Sequence, residues 1–579
     1  MPREIFRGST AMAAEERASP ADHRGATRSL RLLRAAAWLV ALGAGFLEAW
    51  AARFSMSPDG TCYLDIASAY LRHDWNTALN AYWSPLFSWL LAATLWVFRP
   101  SAYWESTLLH LLNFLAMLAS LRSFEFLFRE LLRLRAHFGW NREGADTLSE
   151  WNAWILGYGL FLSTTLFVLS TSLTMPDLWV SVLVYLAVGL ILKIWRTGGS
   201  TPLFLALGFV LGLAYLAKTF YFPMAFVFLL TAVLARGGKP TAIRQALAGL
   251  ASFALLAGPW AGALSRAKGR PTFGDVGKVA VAITMDQIPE GQFFWQGQND
   301  TGTPKHSVRQ LLARPRLYEF GYPVGGSYPL AYDPSYWMEG VKPHFYLPGL
   351  VAVLRQSAGT FLQFLTVQTE YLVGLLFLLF LARGREWLVQ LRKQALLWIP
   401  PLLGCAGYAV VLVEGRYVAP FLLLLWLAAF SSLFAAATQP SARMATALIL
   451  AMISVTGVRI AKSGSSDLLS AVSHSQNVDW EVAESLRGLG IKPGDQVAGL
   501  FRVAEAQWAR IARVKIVSEI PLGEEYAFWT ADPETKLHVF KVFGSTGARV
   551  LVTKDVPLPA LKEGWIPLGK TRFFAHALP

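Results

Sequence analysis

Residues 57–91 read SPDGTCYLDIASAYLRHDWNTALNAYWSPLFSWLL. This stretch decides how the chain is organised, because it separates the first strongly apolar run from about ten later ones. It contains three aspartates, Asp59, Asp65 and Asp74, and it ends in the motif Tyr82-Trp83-Ser84-Pro85-Leu86. Carboxylates beside a bilayer are costly to desolvate, so the stretch predicts a functional loop at a membrane surface.

The composition is that of a membrane protein. Of the 579 residues, 54% are hydrophobic and only 16% are charged, a balance typical of multi-pass membrane proteins. The net charge of +14 does not indicate nucleic acid, because Lys and Arg are dispersed among short loops and form no basic stripe. The two cysteines indicate no disulfide framework, and their number excludes a Cys-ligated metal site.

Apolar runs of about 20 residues, the length that spans a bilayer, predict the crossing helices. We expect a mostly α fold, a multi-pass transmembrane helix bundle of about eleven to thirteen helices. Residues 1–30 are expected to form a disordered cytoplasmic tail, followed by a transmembrane domain over residues 31–462. The expected spans lie near residues 31–52, 102–121, 151–172, 178–196, 202–217, 219–235, 245–264, 366–382, 395–413, 417–437 and 441–460.

The distribution of positive charge predicts the orientation. The tail is rich in Arg, and so are alternate connections, whereas the connections between them are poor in positive charge, so the N-terminus should be cytoplasmic. This alternation requires that residues 84–98 do not cross completely, and we expect a short re-entrant or tilted segment there. The alternative is an extra crossing within residues 105–134.

One consequence is that the candidate residues share the non-cytoplasmic face. The loops 53–82 and 265–346 fall on this face, together with the C-terminal part of the chain. The loop 265–346 is rich in Gly, Pro and aromatic residues, which suits an ordered binding loop or a lid. Residues 347–365 are partly apolar and are expected in the membrane interface before the next span.

Residues 475–579 have the composition of a soluble domain. Helix and strand patterns alternate along VAESLRGLGIKPGDQVAGL, AEAQWARIARVKIVSEI, ARVLVTKD and RFFAHAL. This alternation predicts a small C-terminal α/β domain.

Two aspartates are candidates for acid–base chemistry. Asp59, in Ser-Pro-Asp-Gly, could deprotonate an acceptor or bind a cation, or else cap a helix that begins near Tyr63. Asp177 follows Pro176 at the start of a span, where an acid is also ordinary capping chemistry. Asp65 is expected to be solvated or to be a helix N-terminal charge.

Two cations are candidates for binding phosphate. Lys218 lies between two apolar runs and is either a snorkelling anchor or a phosphate ligand. Arg416 either pairs with Glu414 or offers its fork to a phosphate. The aromatic side chains of Tyr82 and Trp83 could stack on a sugar ring, although most of the 22 Trp should be interfacial. The histidines show no metal-ligand spacing.

The order of these signals resembles the GT-C superfamily of integral-membrane glycosyltransferases. The nearest groups are the bacterial protein O-mannosyltransferase-like enzymes, the aminoarabinose transferase of lipid A and the RgtA/B/C/D-like group. The family's Pro-Pro-Leu-Tyr-Pro type of motif is represented by Ser84–Ser88, and its acid opening a span by Met175-Pro176-Asp177. Its lysine after Gly-Leu-Ala matches Gly212–Ala214 with Lys218, and its Glu-x-Arg-Tyr matches Glu414–Tyr417.

The resemblance implies an inverting transfer from a polyprenyl-phosphate sugar on the periplasmic face of a bacterial inner membrane. The partners would be membrane lipid, the lipid-linked donor and a glycan, lipid or protein acceptor. Asp59 would be the base or acceptor-positioning acid, and Asp177 a second acid. Lys218 and Arg416 would bind the donor phosphate, and the substrate would contact Tyr82, Trp83, Glu414 and Tyr417.

The chain departs from the family in its first loop. Many relatives have Asp-Glu where this chain has Asp59-Gly60. The departure leaves the use of a divalent metal open, and no other cofactor is expected.

Two other functions compete with the transferase. A transporter or flippase of a lipid-linked glycan should place ionisable residues in mid-span and show related halves. A membrane assembly scaffold would use the C-terminal domain for docking. The candidate charges instead cluster at span ends on one face, which favours the transferase.

Overall fold

The computed structural model describes residues 20–138, 149–285, 302–321, 325–344, 347–381, 384–436, 442–473, 476–500, 505–521 and 523–579. Helices dominate the chain up to residue 268. They are α1 (Pro20–Ala51), α2 (Pro58–Leu71), α3 (Trp75–Ala78), α4 (Pro85–Phe98), α5 (Glu105–His137), α6 (Glu150–Thr164) with a π-helical turn (Thr165–Leu169), α7 (Asp177–Thr197), α8 (Thr201–Ala217), α9 (Tyr221–Ala235) and α10 (Pro240–Lys268).

The rest of the chain mixes helices with short strands. Before the last domain come α11 (Val276–Thr284), β1 (Arg309–Ala313), β2 (Arg316–Glu319), α12 (Pro329–Tyr332), α13 (Pro334–Trp337), α14 (Leu347–Val367), α15 (Thr369–Leu381), α16 (Gly384–Lys393), α17 (Ala395–Ala409), α18 (Gly415–Ala436) and α19 (Ala442–Ser473). The C-terminal elements are α20 (Val478–Gly488), β3 (Gln496–Leu500), α21 (Gln507–Ala512), β4 (Lys515–Glu519), α22 (Glu525–Trp529), α23 (Pro533–Ser545), β5 (Val550–Lys554), β6 (Ile566–Pro567) and β7 (Phe573–Ala577). The predicted multi-pass helical protein with a small C-terminal α/β domain is confirmed.

Among the described residues, eight helices are long and apolar enough to cross a membrane. The predicted spans at 202–217, 219–235, 366–382 and 395–413 appear as the shorter apolar helices α8, α9, α15 and α17. Helix α1 begins at Pro20, so residues 20–30 of the predicted tail are helical. Ala, Arg and Leu in this segment favour a helix over a disordered chain.

Residues 84–98 form α4, which does not cross the bundle. Its 14 residues extend about 21 Å, less than the roughly 30 Å of a hydrocarbon core. It packs along α2, where Ser88 Oγ donates to the Tyr63 carbonyl over 3.2 Å. The following helix, α5, starts beside the end of α1, since His110 Nε2 lies 2.9 Å from the Ser55 carbonyl. Both ends of α4 therefore lie at the end of the bundle where α1 ends, as predicted.

The alternative of an extra crossing within residues 105–134 is wrong, because α5 is one continuous helix from Glu105 to His137. Its apolar and amphipathic halves contain only good helix formers or neutral residues, with no Gly or Pro to interrupt it.

Helices α14 and α15 together make one passage. Ser357 Oγ on α14 donates to the Ala409 carbonyl at the end of α17 over 2.8 Å, and Phe364 lies against Gly415 at the start of α18. After Gln368 the chain continues as α15, where Tyr371 Oη lies 2.9 Å from Thr456 Oγ1 on α19. Helix α14 is itself one of the eight helices long and apolar enough to cross a membrane, so the expectation of an interfacial segment at residues 347–365 is not confirmed.

Two buried carboxylates inside the bundle are paired with arginines. Glu125 is fully buried and accepts two hydrogen bonds of 2.8 Å from Arg34 and one of 3.0 Å from Tyr158. Glu370 pairs with Arg459 at 2.9 Å. Because protein donors satisfy these carboxylates, both pairs connect neighbouring helices.

The sheet combines strands from two parts of the chain. Its order is β1-β2-β4-β3-β5-β7-β6, with β3 parallel to β4 and β5. Strands β1 and β2 come from the loop 265–346, and β2 pairs antiparallel with β4. The sheet therefore extends beyond residues 475–579 and ties that segment to the long loop.

Candidate active site

Asp59 lies in the first turn of α2, which begins earlier than the sequence predicts. Ser57 caps the helix by accepting a 3.1 Å hydrogen bond from the Gly60 amide, and Pro58 occupies the first helical position. The capping role considered for Asp59 is therefore wrong, since Ser57 performs it. The Asp59 carboxylate is left to interact across the site. Burial raises its pKa, and the Arg416 guanidinium opposes that rise.

A second loop, residues 170–176, packs against this turn. Ser57 Oγ lies 2.6 Å from Thr174 Oγ1. A Cβ at Gly60 would lie 2.6 Å from that Thr174 oxygen, so only glycine allows the approach. Asn113 Nδ2 donates to the carbonyls of Leu173 and Met175 and fixes the loop that leads into α7.

Asp177 and Lys218 form an ion pair at the same end of the bundle. Asp177 opens α7 and is 2% exposed, and Lys218 is the extended residue that ends α8. Lys218 Nζ lies 2.5 Å from Asp177 Oδ1. Burial lowers the pKa of Lys218, and the Asp177 carboxylate opposes that effect. The snorkelling role considered for Lys218 is wrong, because its ammonium group points to a buried partner.

Arg416 binds two carboxylates. Its Nε donates to Glu414, and its Nη1 lies 3.3 Å from Asp59 Oδ2. Its remaining nitrogen donates to the Tyr417 hydroxyl over 3.1 Å. The residue thus joins α18 to the start of α2.

The Tyr417 ring contacts both cations of the site. Lys218 Nζ lies 3.5 Å from the ring centroid, and the guanidinium carbon of Arg416 lies 4.8 Å from it. Tyr408 stacks on Tyr417 at 5.2 Å and on Phe220 at 3.9 Å. A cation over an aromatic face is stabilised by the ring quadrupole, so this stack positions Lys218 and Arg416 together.

Tyr82 and Trp83 border the site on the side of the long loop. The Asn80 side chain accepts hydrogen bonds from both of their amides over 2.9 Å. Burial, and then the charge of Asp59, raise the pKa of Tyr82. Trp83 Nε1 donates to the Ala331 carbonyl over 3.1 Å, so its indole also packs the long loop onto α2.

The eight predicted residues thus assemble at one end of the bundle, which we call the site end. Sequence reasoning missed the residues that position them, because single polar residues in or beside apolar runs carry no local signal. They are Asn80, Asn113, Thr174, Thr219 and Tyr408.

Two other aspartates of the first loop have structural contacts. Asp74 caps α3 by accepting from the Thr77 amide over 3.2 Å. Asp65 is 8% exposed and lies 2.6 Å from Arg510. The expectation that Asp65 is solvated, or a helix N-terminal charge, is wrong, because the C-terminal domain covers it.

The donor set does not fit a divalent metal. Arg416 already lies between the carboxylates of Asp59 and Glu414, and Lys218 occupies Asp177. Thr174 and Met56 fill the space that a second carboxylate at position 60 would need. In the described part of the chain, no three His, Cys, Asp or Glu side chains are grouped to hold a metal ion.

Comparison with known proteins finds likeness in structure only. No family model and no curated protein matches the chain. The apo crystal structure of ArnT from Cupriavidus metallidurans matches with a TM-score of 0.50 at 12% identity, over 95% of this chain and 98% of that chain. The same protein bound to undecaprenyl phosphate matches with a TM-score of 0.51 at 12% identity, over 94% and 97% of the two chains. The oligosaccharyltransferase from Archaeoglobus fulgidus, in complex with Zn and sulfate, gives 0.45 at 13% identity, over 90% and 68%.

At this level of identity the likeness defines the fold. The chain shares the fold of these ArnT structures, and the predicted multi-pass helical fold is confirmed. The particular structures it is similar to are those of ArnT, over nearly their whole length.

Proposed function

We propose that this protein is an inverting glycosyltransferase that moves a sugar from a polyprenyl phosphate to an acceptor at the extracytoplasmic face of a bacterial inner membrane. The observation that carries the proposal is the joint placement of two cations and two carboxylates. Lys218 and Arg416 both contact the Tyr417 ring, and each is paired with a carboxylate, Asp177 or Asp59.

The two cations are suited to the donor phosphate. An ammonium group has three donors, and Lys218 uses one on Asp177. The Arg416 fork is geometrically matched to phosphate oxygens. A phosphate entering between them would share these donors with the carboxylates, and both cations would stabilise the charge that grows on the leaving phosphate. The crystal structure of ArnT bound to undecaprenyl phosphate supports this choice of ligand class.

Asp59 is suited to act as the base. Its raised pKa makes it a stronger proton acceptor than an ordinary aspartate, and the Arg416 guanidinium opposes that rise. In the proposed step the acceptor oxygen attacks the anomeric carbon and its proton moves to Asp59. The bond from that carbon to the phosphate oxygen breaks, and the electron pair leaves with the phosphate. Attack opposite the leaving group inverts the anomeric centre.

The remaining site residues would hold substrate. Asp177 keeps the Lys218 ammonium charged and directed into the site. The aromatic ring of Tyr82 could stack on a sugar ring. A glycan, a lipid and a protein are all acceptors that this chemistry accommodates.

Binding of undecaprenyl phosphate to the purified protein tests the proposal. We expect Lys218→Gln and Arg416→Gln each to weaken binding about tenfold or more, because charge-assisted hydrogen bonds are lost. Lys239→Gln, an exposed lysine at the opposite end of the bundle, is the matched control. Equal affinity in all three variants would refute the phosphate site. Binding without any transfer in wild-type membranes would favour a flippase.

A reporter fused after Pro579 tests on which side of the membrane the C-terminal domain and the site end lie. The basic connections predict that it will be non-cytoplasmic. A cytoplasmic fusion would place the site end on the other side of the membrane and exclude the proposed donor.

A further inference from the structure

A buried arginine of the C-terminal domain contacts the helix that carries Asp59. Arg510 lies on α21 and is 3% exposed. Its Nη1 donates to Asp65 Oδ1 over 2.6 Å, and its Nη2 donates to Ser68 Oγ over 3.0 Å, both on α2. Its Nε donates to Glu105 at the start of α5 over 3.1 Å. One side chain therefore fastens three separate elements, α21, α2 and α5.

A strap formed by residues 327–332 adds a second connection to α2. The amide of Ser327 donates to Asp65 Oδ2 over 2.6 Å, and the carbonyl of Ala331 accepts from Cys62 Sγ over 3.1 Å. The strap is itself held by the C-terminal sheet, because the Ile516 amide on β4 donates to the Ser327 carbonyl over 3.0 Å. The contacts from Arg510 and from Ser327 therefore both end on the Asp65 carboxylate.

The two aspartates of α2 lie on different faces of the helix. Six residues separate them, which corresponds to about 9 Å along the axis and about 240° around it. Asp59 faces Arg416 of the bundle, and Asp65 faces Arg510 of the C-terminal domain. A rotation or shift of α2 that breaks the second contact would move the first.

We propose that Arg510 is a positioning residue that holds α2 in the register at which Asp59 lies beside Arg416, so that the C-terminal domain forms part of the site's scaffold. What Asp59 then does rests on the function proposed above. The position of α2 does not depend on that proposed function, and it can be measured separately.

The native thiols provide that measurement. The two cysteines, Cys62 on α2 and Cys405 on α17, are both free and buried. We expect Arg510→Lys, which keeps the charge but loses the fork, to raise the rate of Cys62 alkylation by a maleimide about tenfold or more. The rate at Cys405 should stay at its wild-type value.

Arg513→Lys is the matched control. Arg513 also pairs with Glu105, but its side chain is 40% exposed and its ion pair reaches α5 rather than α2. It should leave Cys62 protected. Protection of Cys62 in Arg510→Lys, or equal exposure of Cys62 and Cys405, would overturn the proposal, since the second result describes general loosening.

A double-mutant comparison tests the link to the site. In the wild-type background, Asp59→Asn should tighten undecaprenyl phosphate binding about threefold to tenfold, because a carboxylate no longer competes for Arg416. In the Arg510→Lys background, Asp59→Asn should change affinity less than about twofold, because Asp59 no longer lies beside Arg416. An unchanged effect of Asp59→Asn in that background would overturn the positioning role.

Two outcomes separate this inference from the proposed function. If the wild-type protein does not bind undecaprenyl phosphate, the proposed function fails, and the thiol measurement alone decides the position of α2. If Arg510→Lys does not fold, Asp65→Asn replaces it, because asparagine can still accept from Ser327 while the ion pair is lost. It should expose Cys62 in the same selective way, and protection of Cys62 there would overturn the proposal.

Discussion

Arg416 and Arg510 each bind two carboxylates, and the two centres differ in access to solvent. Arg416 contacts Asp59 and Glu414, whose side chains are 26% and 38% exposed. Arg510 contacts Asp65 and Glu105, whose side chains are 9% and 8% exposed. The charges are alike, yet one centre is open to a ligand and the other is closed by protein.

The difference shows how burial assigns a role to the same chemistry. At Arg510 protein groups enclose the charges, so the cluster serves to join elements. At Arg416 the carboxylates keep some contact with water. A phosphate can therefore share the guanidinium, because water can still solvate the carboxylates. The following substitutions test this comparison.

Asp59→Asn should have the largest effect on the rate of transfer. Loss of a general base typically lowers the rate about 10²–10⁴-fold. Thermal unfolding should be unchanged, and polyprenyl-phosphate sugar should accumulate in cells, as measured by mass spectrometry of lipid extracts. Normal lipid levels with full activity would remove Asp59 from the mechanism.

Replacing each arginine by methionine compares the two centres directly. Arg510→Met should lower the free energy of unfolding by about 3–5 kcal/mol, because it leaves buried carboxylates unpaired. Arg416→Met should cost less, about 1–3 kcal/mol, because its partners keep some contact with water. Thermal unfolding of both variants in the same detergent makes the comparison. Equal losses of unfolding free energy would show that Arg416 is as fully enclosed by protein as Arg510.

Gly60→Ala sharpens the comparison at the start of α2. The added Cβ would meet Thr174 and Met56 well inside contact distance, so we expect a loss of about 1–3 kcal/mol. Gly258→Ala on α10 is the control, because its Cβ would enter open space. A Gly60→Ala variant as stable as this control would mean that the loop 170–176 is free to withdraw.

Glu519→Gln should have the smallest effect, and it should depend on pH. Burial raises the pKa of Glu519, beside Tyr328, to about 8. Because the folded-state pKa lies above the ordinary value, the protonated carboxyl stabilises the fold below about pH 4.5, and this stability is lost as the pH rises to about 8.

We therefore expect Glu519→Gln to raise the melting temperature by about 2–4 °C at pH 9, and by less at pH 5. Glu534→Gln, an exposed acid on α23, is the control and should show no such trend. A constant difference across this range would show that Glu519 is ionised in the folded protein.

Local patterns predicted much of the fold. The apolar runs located the helices, and the charge pattern required that residues 84–98 stay at one face, which α4 does. Pro58, Pro176 and the Glu-x-Arg-Tyr motif mark the ends of helices, where polar groups meet the membrane surface, so the candidate residues were found from their positions at span ends. The aromatic segment 291–300 lies outside the described residues.

The contacts between distant residues were not predictable in this way. The sequence showed which charged residues are present, but it did not show that Asp65 pairs with Arg510, which lies 445 residues away. It also did not show that β2 pairs with β4. Ser57 took the capping role considered for Asp59, because a serine at that position reaches the Gly60 amide.

The sequence by itself located the apolar helices, because hydrophobic length acts locally along the chain. It also supplied the eight candidate residues of the site. Only the tertiary structure decided that Asp59 meets Arg416, 357 residues away, while Asp65 on the same helix meets Arg510. The physical reason is that burial and pairing depend on which surfaces come together, and two aspartates of equal chemistry acquire different roles when one is enclosed and the other is left open.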